Sequence, residues 1–203
     1  MQTLTGHGGT VTAVAHEKGC LITCSVDCTV RVWRSTKGRG LLLYPWFNTV
    51  HILDNKKRWV TAASLRGGEG MALYVGDSEG DLTFYTPSSS PSSFSSSSSL
   101  SPSQSLSPSK QQQNGEEVQS FNFELSELQG KKHNHVHELG ITDILLIPEQ
   151  NFLCTMSHDC TVRIYDAMTG APFLTIKNEK RCRFTAIAWH EPYQELFLAD
   201  LQG

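Results

Sequence analysis

Outside one serine-rich stretch, the hydrophobic positions of this chain fall in short runs that either alternate with polar residues or stay apolar for a few positions. Gly, Asp, Ser and Asn separate the runs, which is the signature of many strands, and no 3.6-residue period competes with it. The runs group into sets. TVTAVAH, CLITCSV, TVRVWRS and NTVHILD form the first; WVTAASL, MALYVGD, DLTFYTP and, beyond the serines, VQSFNFEL form the second. GITDILLIP, NFLCTMS, TVRIYDA and APFLTIK form the third, and RFTAIAWH with QELFLADLQG matches the first two members of a fourth. Four strands per set, repeated, predict an all-β protein of four-stranded antiparallel propeller blades, about three and a half of them.

An internal repeat supports the grouping. Asp-Cys-Thr-Val-Arg occurs at Asp27 to Arg31 and again at Asp159 to Arg163, each time followed by an aliphatic and then an aromatic residue. With the sets in register, Trp33, Tyr85 and Tyr165 coincide, at spacings of 52 (85 − 33) and 80 (165 − 85). Both spacings exceed the roughly 40 to 45 residues of a compact blade. The surplus falls in Thr36 to Phe47 and in the serine tract, both between the third and fourth strands of a set. From Ser88 to Ser109, 15 of 22 residues are serine, and KQQQNGEE follows. Such a segment buries too little apolar surface to offset its ordering entropy. The expected organisation is therefore blades 1 and 2 over residues 1–86, a disordered insertion over 87–117, and the last strand of blade 2, blade 3 and half of blade 4 over 118–203. A chain that stops inside a blade reads as a fragment of a longer propeller.

The residues Leu4-Thr5-Gly6-His7, Val11, Ser25-Val26-Asp27 and Val32-Trp33 together resemble a WD40 repeat. The third set is similar, with His137, Ser157, Asp159 and Tyr165-Asp166, but has Val136 where the family has glycine and tyrosine for tryptophan. The resemblance implies a buried hydrogen-bonded chain in these two blades, through His7, Ser25, Asp27 and Trp33 and through His137, Ser157, Asp159 and Tyr165. In it the serine hydroxyl would bridge histidine to the aromatic donor, so that no buried polar group lacks a partner. The second set is degenerate, with Lys56, Asp77 and Glu79 at the histidine, serine and aspartate positions. A Ser-His-Asp catalytic triad uses the same residue types, but no G-x-S-x-G elbow surrounds Ser25, and the constellation is half repeated in another blade. No catalytic residue is assigned.

A formal net charge of −3 and 38% hydrophobic residues point to neither nucleic acid nor an anionic membrane as the main partner. No run approaches the roughly 18 apolar residues of a spanning helix. Six cysteines without C-x-x-C spacing or a secretory leader read as reduced thiols, and the expected compartment is the cytoplasm, with ciliary or nuclear pools left open. No cofactor or metal is assigned. His133, His135 and His137 alternate, but no cysteine or acid at ligand spacing completes a site; Asp77, Glu79 and Asp81 lack the full calcium-loop pattern.

Three features bear on partners. Tyr44, Trp46 and Phe47, in LLLYPWF, are either an extra strand or tucked loop, or an exposed aromatic anchor. Lys56, Lys57 and Arg58, with the basic run Lys177 to Arg183, lie on connections entering a blade. Thr86, Ser90, Ser101 and Ser107 each precede proline and are candidate phosphorylation sites. The expected function is a non-catalytic scaffold that holds other proteins through blade rims, long loops or open edges, as the WD40 resemblance implies for ciliary, trafficking and ubiquitin assemblies alike. The alternative is a reader of phosphorylated peptides or nucleic acid through the basic loops; a small-molecule substrate has no support.

Overall fold

The computed structural model describes residues 3–17, 20–36, 46–55, 58–67, 72–87 and 128–202. Strands β1 (Val11–Glu17), β2 (Cys20–Ser25), β3 (Thr29–Thr36) and β4 (Trp46–Asp54) form the first antiparallel sheet, in that spatial order. The second holds β5 (Val60–Arg66), β6 (Ala72–Asp77), β7 (Leu82–Pro87) and β8 (Leu128–His133). The third holds β9 (Ile141–Ile147), β10 (Phe152–Ser157), β11 (Thr161–Asp166) and β12 (Pro172–Lys177). A fourth sheet, among the described residues, has two strands, β13 (Phe184–His190) and β14 (Glu195–Asp200). The four sheets are blades, in the order expected from the pattern of runs.

Two strands differ from expectation. The fourth strand of blade 2 is β8, which pairs Leu82 with His133 and Thr86 with Gln129; the expected VQSFNFEL, Val118 to Leu125, lies outside the described residues. The sequence LQGKKH has little apolar alternation because an outermost strand needs few buried side chains, and Gly130, Lys131 and Lys132 are exposed. In blade 1 the fourth strand begins earlier than NTVHILD, at Trp46 and Phe47, which pair with Thr36 and Ser35. The backbone of these two residues is therefore strand rather than connecting loop.

Three apolar cores lie between successive blades. Ile22, Cys24, Val30 and Val32 of blade 1 meet Val60, Leu73 and Val75 of blade 2. Tyr74, Leu82 and Phe84 of blade 2 meet Ile141, Ile144, Leu153 and Tyr165 of blade 3. Cys154 and Ile164 of blade 3 meet Ile187, Trp189 and Leu196 of blade 4. Strand period 2 makes this possible, because each blade shows alternate residues to the neighbour before it and the neighbour after it. The first strands β1, β5, β9 and β13 pack one on the next, so they form the inner edge of the array. Polar links cross the same boundaries: the Tyr74 hydroxyl donates to the Ala167 carbonyl at 2.8 Å, and Thr12 donates to the Val60 carbonyl at 2.6 Å.

The repeated Asp-Cys-Thr-Val-Arg is the turn and third strand of a blade. Cys28 and Cys160 sit in the left-handed region with φ 67° and 64°, and Gly80 takes the same place in blade 2 with φ 82°. At Gly80 the side chain is excluded twice, since a Cβ there would come within 2.4 Å of the His137 carbonyl oxygen.

Candidate functional site

Two buried polar chains occupy blades 1 and 3. In blade 1, His7 Nδ1 lies 2.9 Å from an Asp27 carboxylate oxygen, and Thr29 donates to the other oxygen at 2.6 Å. His7 Nε2 lies 2.7 Å from the Thr23 hydroxyl, which also accepts the Trp33 indole N–H at 2.9 Å. One proton arrangement satisfies every member: Nδ1–H donates to Asp27, Thr23 O–H donates to Nε2, and Thr23 Oγ1 accepts from the indole. Blade 3 repeats the geometry, with His137 3.0 Å from Asp159 and 2.8 Å from Thr155.

The hydroxyl that meets the histidine is thus threonine, at positions 23 and 155, where the resemblance implied Ser25 and Ser157, and in blade 1 it also bridges to Trp33. Register explains the difference. Trp33 pairs across from Leu21, and Thr23 from Arg31, so the indole reaches Thr23 diagonally. Ser25 is four residues from Leu21, about 13 Å along the strand. Both serines instead stabilise the turn: Ser25 and Ser157 accept the N–H of Asp27 and Asp159 at 3.1 Å, and Ser157 donates to the Leu139 carbonyl at 2.8 Å. In blade 3 the partners of the Thr155 hydroxyl are the His137 ring at 2.8 Å and the Arg163 carbonyl at 3.4 Å. The alternation 23, 25 and 155, 157 was the available signal, since both members of each pair face the same side.

In blade 2 the position of Thr23 is Val75, and the chain is replaced by an ionic cluster that the sequence did not suggest. Asp81, at the place of Thr29 and Thr161, is 1% exposed. Its carboxylate takes Lys132 at 2.7 Å, Arg58, and the backbone N–H of His135. Asp77 caps the turn by accepting the N–H groups of Glu79 and Asp81 at 3.0 and 2.9 Å. Burial alone would raise the Asp81 pKa, yet Lys132, the His135 N–H and Arg58 together hold it below the usual carboxylate range. Asp27 and Asp159 are held low in the same way, against burial, by threonine, histidine and backbone donors. Arg58 is accordingly paired with Asp81, its side chain half-buried. Lys56, Lys57 and Tyr44 lie outside the described residues, as do Ser90, Ser101 and Ser107; Thr86 is exposed near the end of β7. The three alternating histidines part company, His133 against the Phe84 ring at 4.7 Å, His135 exposed and His137 buried.

A different set of positions converges on one face. The residue before each first strand, Thr10, Trp59, Gly140 and Arg183, accepts a backbone N–H from the middle of the following turn at 3.1, 3.0, 3.2 and 3.2 Å. The backbone is the same four times while the side chains are four different kinds. Together with Leu139 and His158, these residues line a cavity of about 660 Å³ that spans all four blades. Trp59 is 58% and Leu139 49% exposed there. Such a face can grip an apolar side chain and donate hydrogen bonds.

Comparison with known proteins agrees with the fold. The family model described as "WD domain, G-beta repeat" (WD40) matches residues 1–34 and 129–166. No curated protein matches the chain. Among solved structures, the crystal structure of the computationally designed Ika4 protein is similar, with a TM-score of 0.56 and 14% identity over 98% of this chain and 95% of that one. That likeness shows the fold and carries no function.

Proposed function

Because the chain carries WD40 repeats, we propose that it is a non-catalytic scaffold that binds other proteins. The observation that carries this reading is the contrast at the head of each blade, where one backbone hydrogen bond recurs four times and presents Thr10, Trp59, Gly140 and Arg183. A position needed only for folding has reason to repeat; one that differs in every blade while its backbone is fixed is suited to recognition. A rigid array offers wide binding surface and little chemistry.

Affinity purification of the full chain and of Trp59→Ala, compared by quantitative mass spectrometry, tests the proposal. The expected result is a defined set of proteins that survives raised salt and is lost from the variant. Capture confined to phosphorylated peptides or nucleic acid, fading steeply as salt rises from about 50 to about 200 mM, would favour the alternative reader. That alternative is supported by the exposed Lys177, Lys180, Arg181 and Arg183 but has lost Arg58 to Asp81. We place the protein in the cytoplasm, to be checked by imaging the tagged full chain. Thr86, Ser90, Ser101 and Ser107 are proposed as regulatory phosphorylation sites; phosphosite mapping that finds all four bare would remove that part.

A further inference from the structure

We propose that the face at the heads of the first strands takes an extended acidic peptide, one that carries an aromatic or leucine side chain beside aspartate or glutamate. The inference rests on the scaffold reading and adds the chemistry of the partner segment.

Two halves of the cavity differ in kind. On the side of blades 1 to 3, Val11, Trp59 and Leu139 stand exposed, and together they make an apolar patch on a surface otherwise set with hydroxyls. Isolated exposed apolar residues are ordinary, but a cluster lining one concavity marks a contact site, and tryptophan is the residue that most often dominates such contacts. On the side of blades 3 and 4, the lining residues are His158 and Arg183. Among the described residues, no carboxylate lines this cavity.

That composition separates it from two other cavities among the described residues, in a chain whose formal net charge is −3. A cavity of about 550 Å³ beside the blade 3 turn mixes Arg163, Lys177 and Arg181 with Glu138, Asp159 and Glu179, so its charges offset one another. A cavity of about 470 Å³ at the opposite ends of the strands carries Glu149 and Glu191 and, among the described residues, no cation. The face at the strand heads is thus the cavity, among those three, in which an acidic ligand meets cationic and imidazole donors without an opposing carboxylate. Arginine there can hold a carboxylate with two parallel N–H donors.

The backbone under both halves is fixed. Leu139 and Gly140 carbonyls accept the Ser157 hydroxyl at 2.8 and 3.0 Å, and the Arg183 carbonyl accepts the Leu201 N–H. A preformed site of this sort loses little entropy when occupied.

The test is a random peptide display library selected on the folded full chain, with chosen peptides resynthesised and titrated by fluorescence anisotropy. The expected peptides pair an aromatic or leucine with Asp or Glu. Trp59→Ala should weaken them by about tenfold or more, and Arg183→Gln by about fivefold to tenfold. Glutamine in place of the peptide's glutamate should cost the same against the wild-type chain and little further against Arg183→Gln. Phe173→Ser, which alters an exposed side chain on β12, should change nothing, and near-ultraviolet circular dichroism should show every variant folded. Selected peptides without acidic residues, peptides indifferent to both variants, or a failure to select any would overturn the inference. So would a single-stranded oligonucleotide that occupies the face in place of the peptides. Neutral peptides that still need Trp59 would leave the scaffold reading standing and remove only its charge assignment.

Discussion

His7 Nε2 lies 2.7 Å from the hydroxyl of Thr23, two residues before the serine that the WD40 resemblance put in that role. Replacing Thr23 by valine keeps the shape of the side chain but leaves the buried Trp33 indole N–H and a histidine nitrogen without a protein partner. The expected cost is about 1–3 kcal/mol, against about 1 kcal/mol for Ser25→Ala, which removes one acceptor of a turn N–H. Urea unfolding of both variants checks the order. Equal or reversed costs would return the bridge to Ser25.

How much of this was legible in the sequence follows from where each residue sits. Strands β9 to β11 face a neighbouring blade on both sides and β2 and β3 pack against blade 2, so their apolar runs announced them, and Asp27 and Asp159 were marked by the turn that needs them. Strand β8 was missed because an outer strand buries little. Thr23 was passed over because two hydroxyl residues share its face, and only the pairing of Trp33 with Leu21 chooses between them. The Asp81 cluster depends on Lys132 arriving from across the serine insertion, which no local pattern reveals. Trp59 gave no signal as a site, since exposure is a property of the assembled face.

Stability should fall with acid in two stages. Burial holds the His137 imidazole below its ordinary range although Asp159 pulls it upward, and burial with Lys131 does the same to His133. Below about pH 6.5 the unfolded chain binds protons that these native rings refuse, so this contribution is whole above that pH and lost beneath it. Asp27, Asp81 and Asp159, held low in the native state, add a contribution present above about pH 4 and lost as pH falls further. Denaturant midpoints measured from neutral pH downward should drop in both windows. A midpoint that stays level or rises between about pH 7 and about pH 5 would contradict the His137 assignment.

Asp81→Asn tests the ionic cluster of blade 2. Loss of a fully buried partner costs about 3–5 kcal/mol, but Arg58 and Lys132 are 35% and 38% exposed and can turn toward water. The expected destabilisation is therefore smaller, about 1–3 kcal/mol. It should shrink further at high salt only slightly, because the carboxylate itself is buried. Chemical denaturation at two ionic strengths reads both quantities, and a neutral result would make the cluster a surface decoration.

Gly80→Ala places a methyl group against the His137 and Leu139 carbonyl oxygens, at 2.4 and 2.7 Å, on a backbone with φ 82°. The His137 N–H bond to the Gly80 carbonyl, 3.1 Å, joins blade 2 to blade 3 at this point. A cost of about 1–3 kcal/mol is expected. Amide exchange should quicken first around residues 136–140. A fully stable variant would show that the turn can move without disturbing the blade boundary.

The most direct test of the account uses a photo-crosslinking amino acid placed once at Leu139 and once at Tyr193, in the full chain expressed in cells. Leu139 lines the face at the strand heads, while Tyr193 is exposed in the turn after β13, about 20 Å away along the strand. A scaffold that recognises partners through Trp59, Leu139 and Arg183 should give a discrete protein adduct from position 139 that vanishes with Trp59→Ala, and none from position 193. Adducts from position 193 alone, or an adduct at 139 that ignores Trp59, would contradict it.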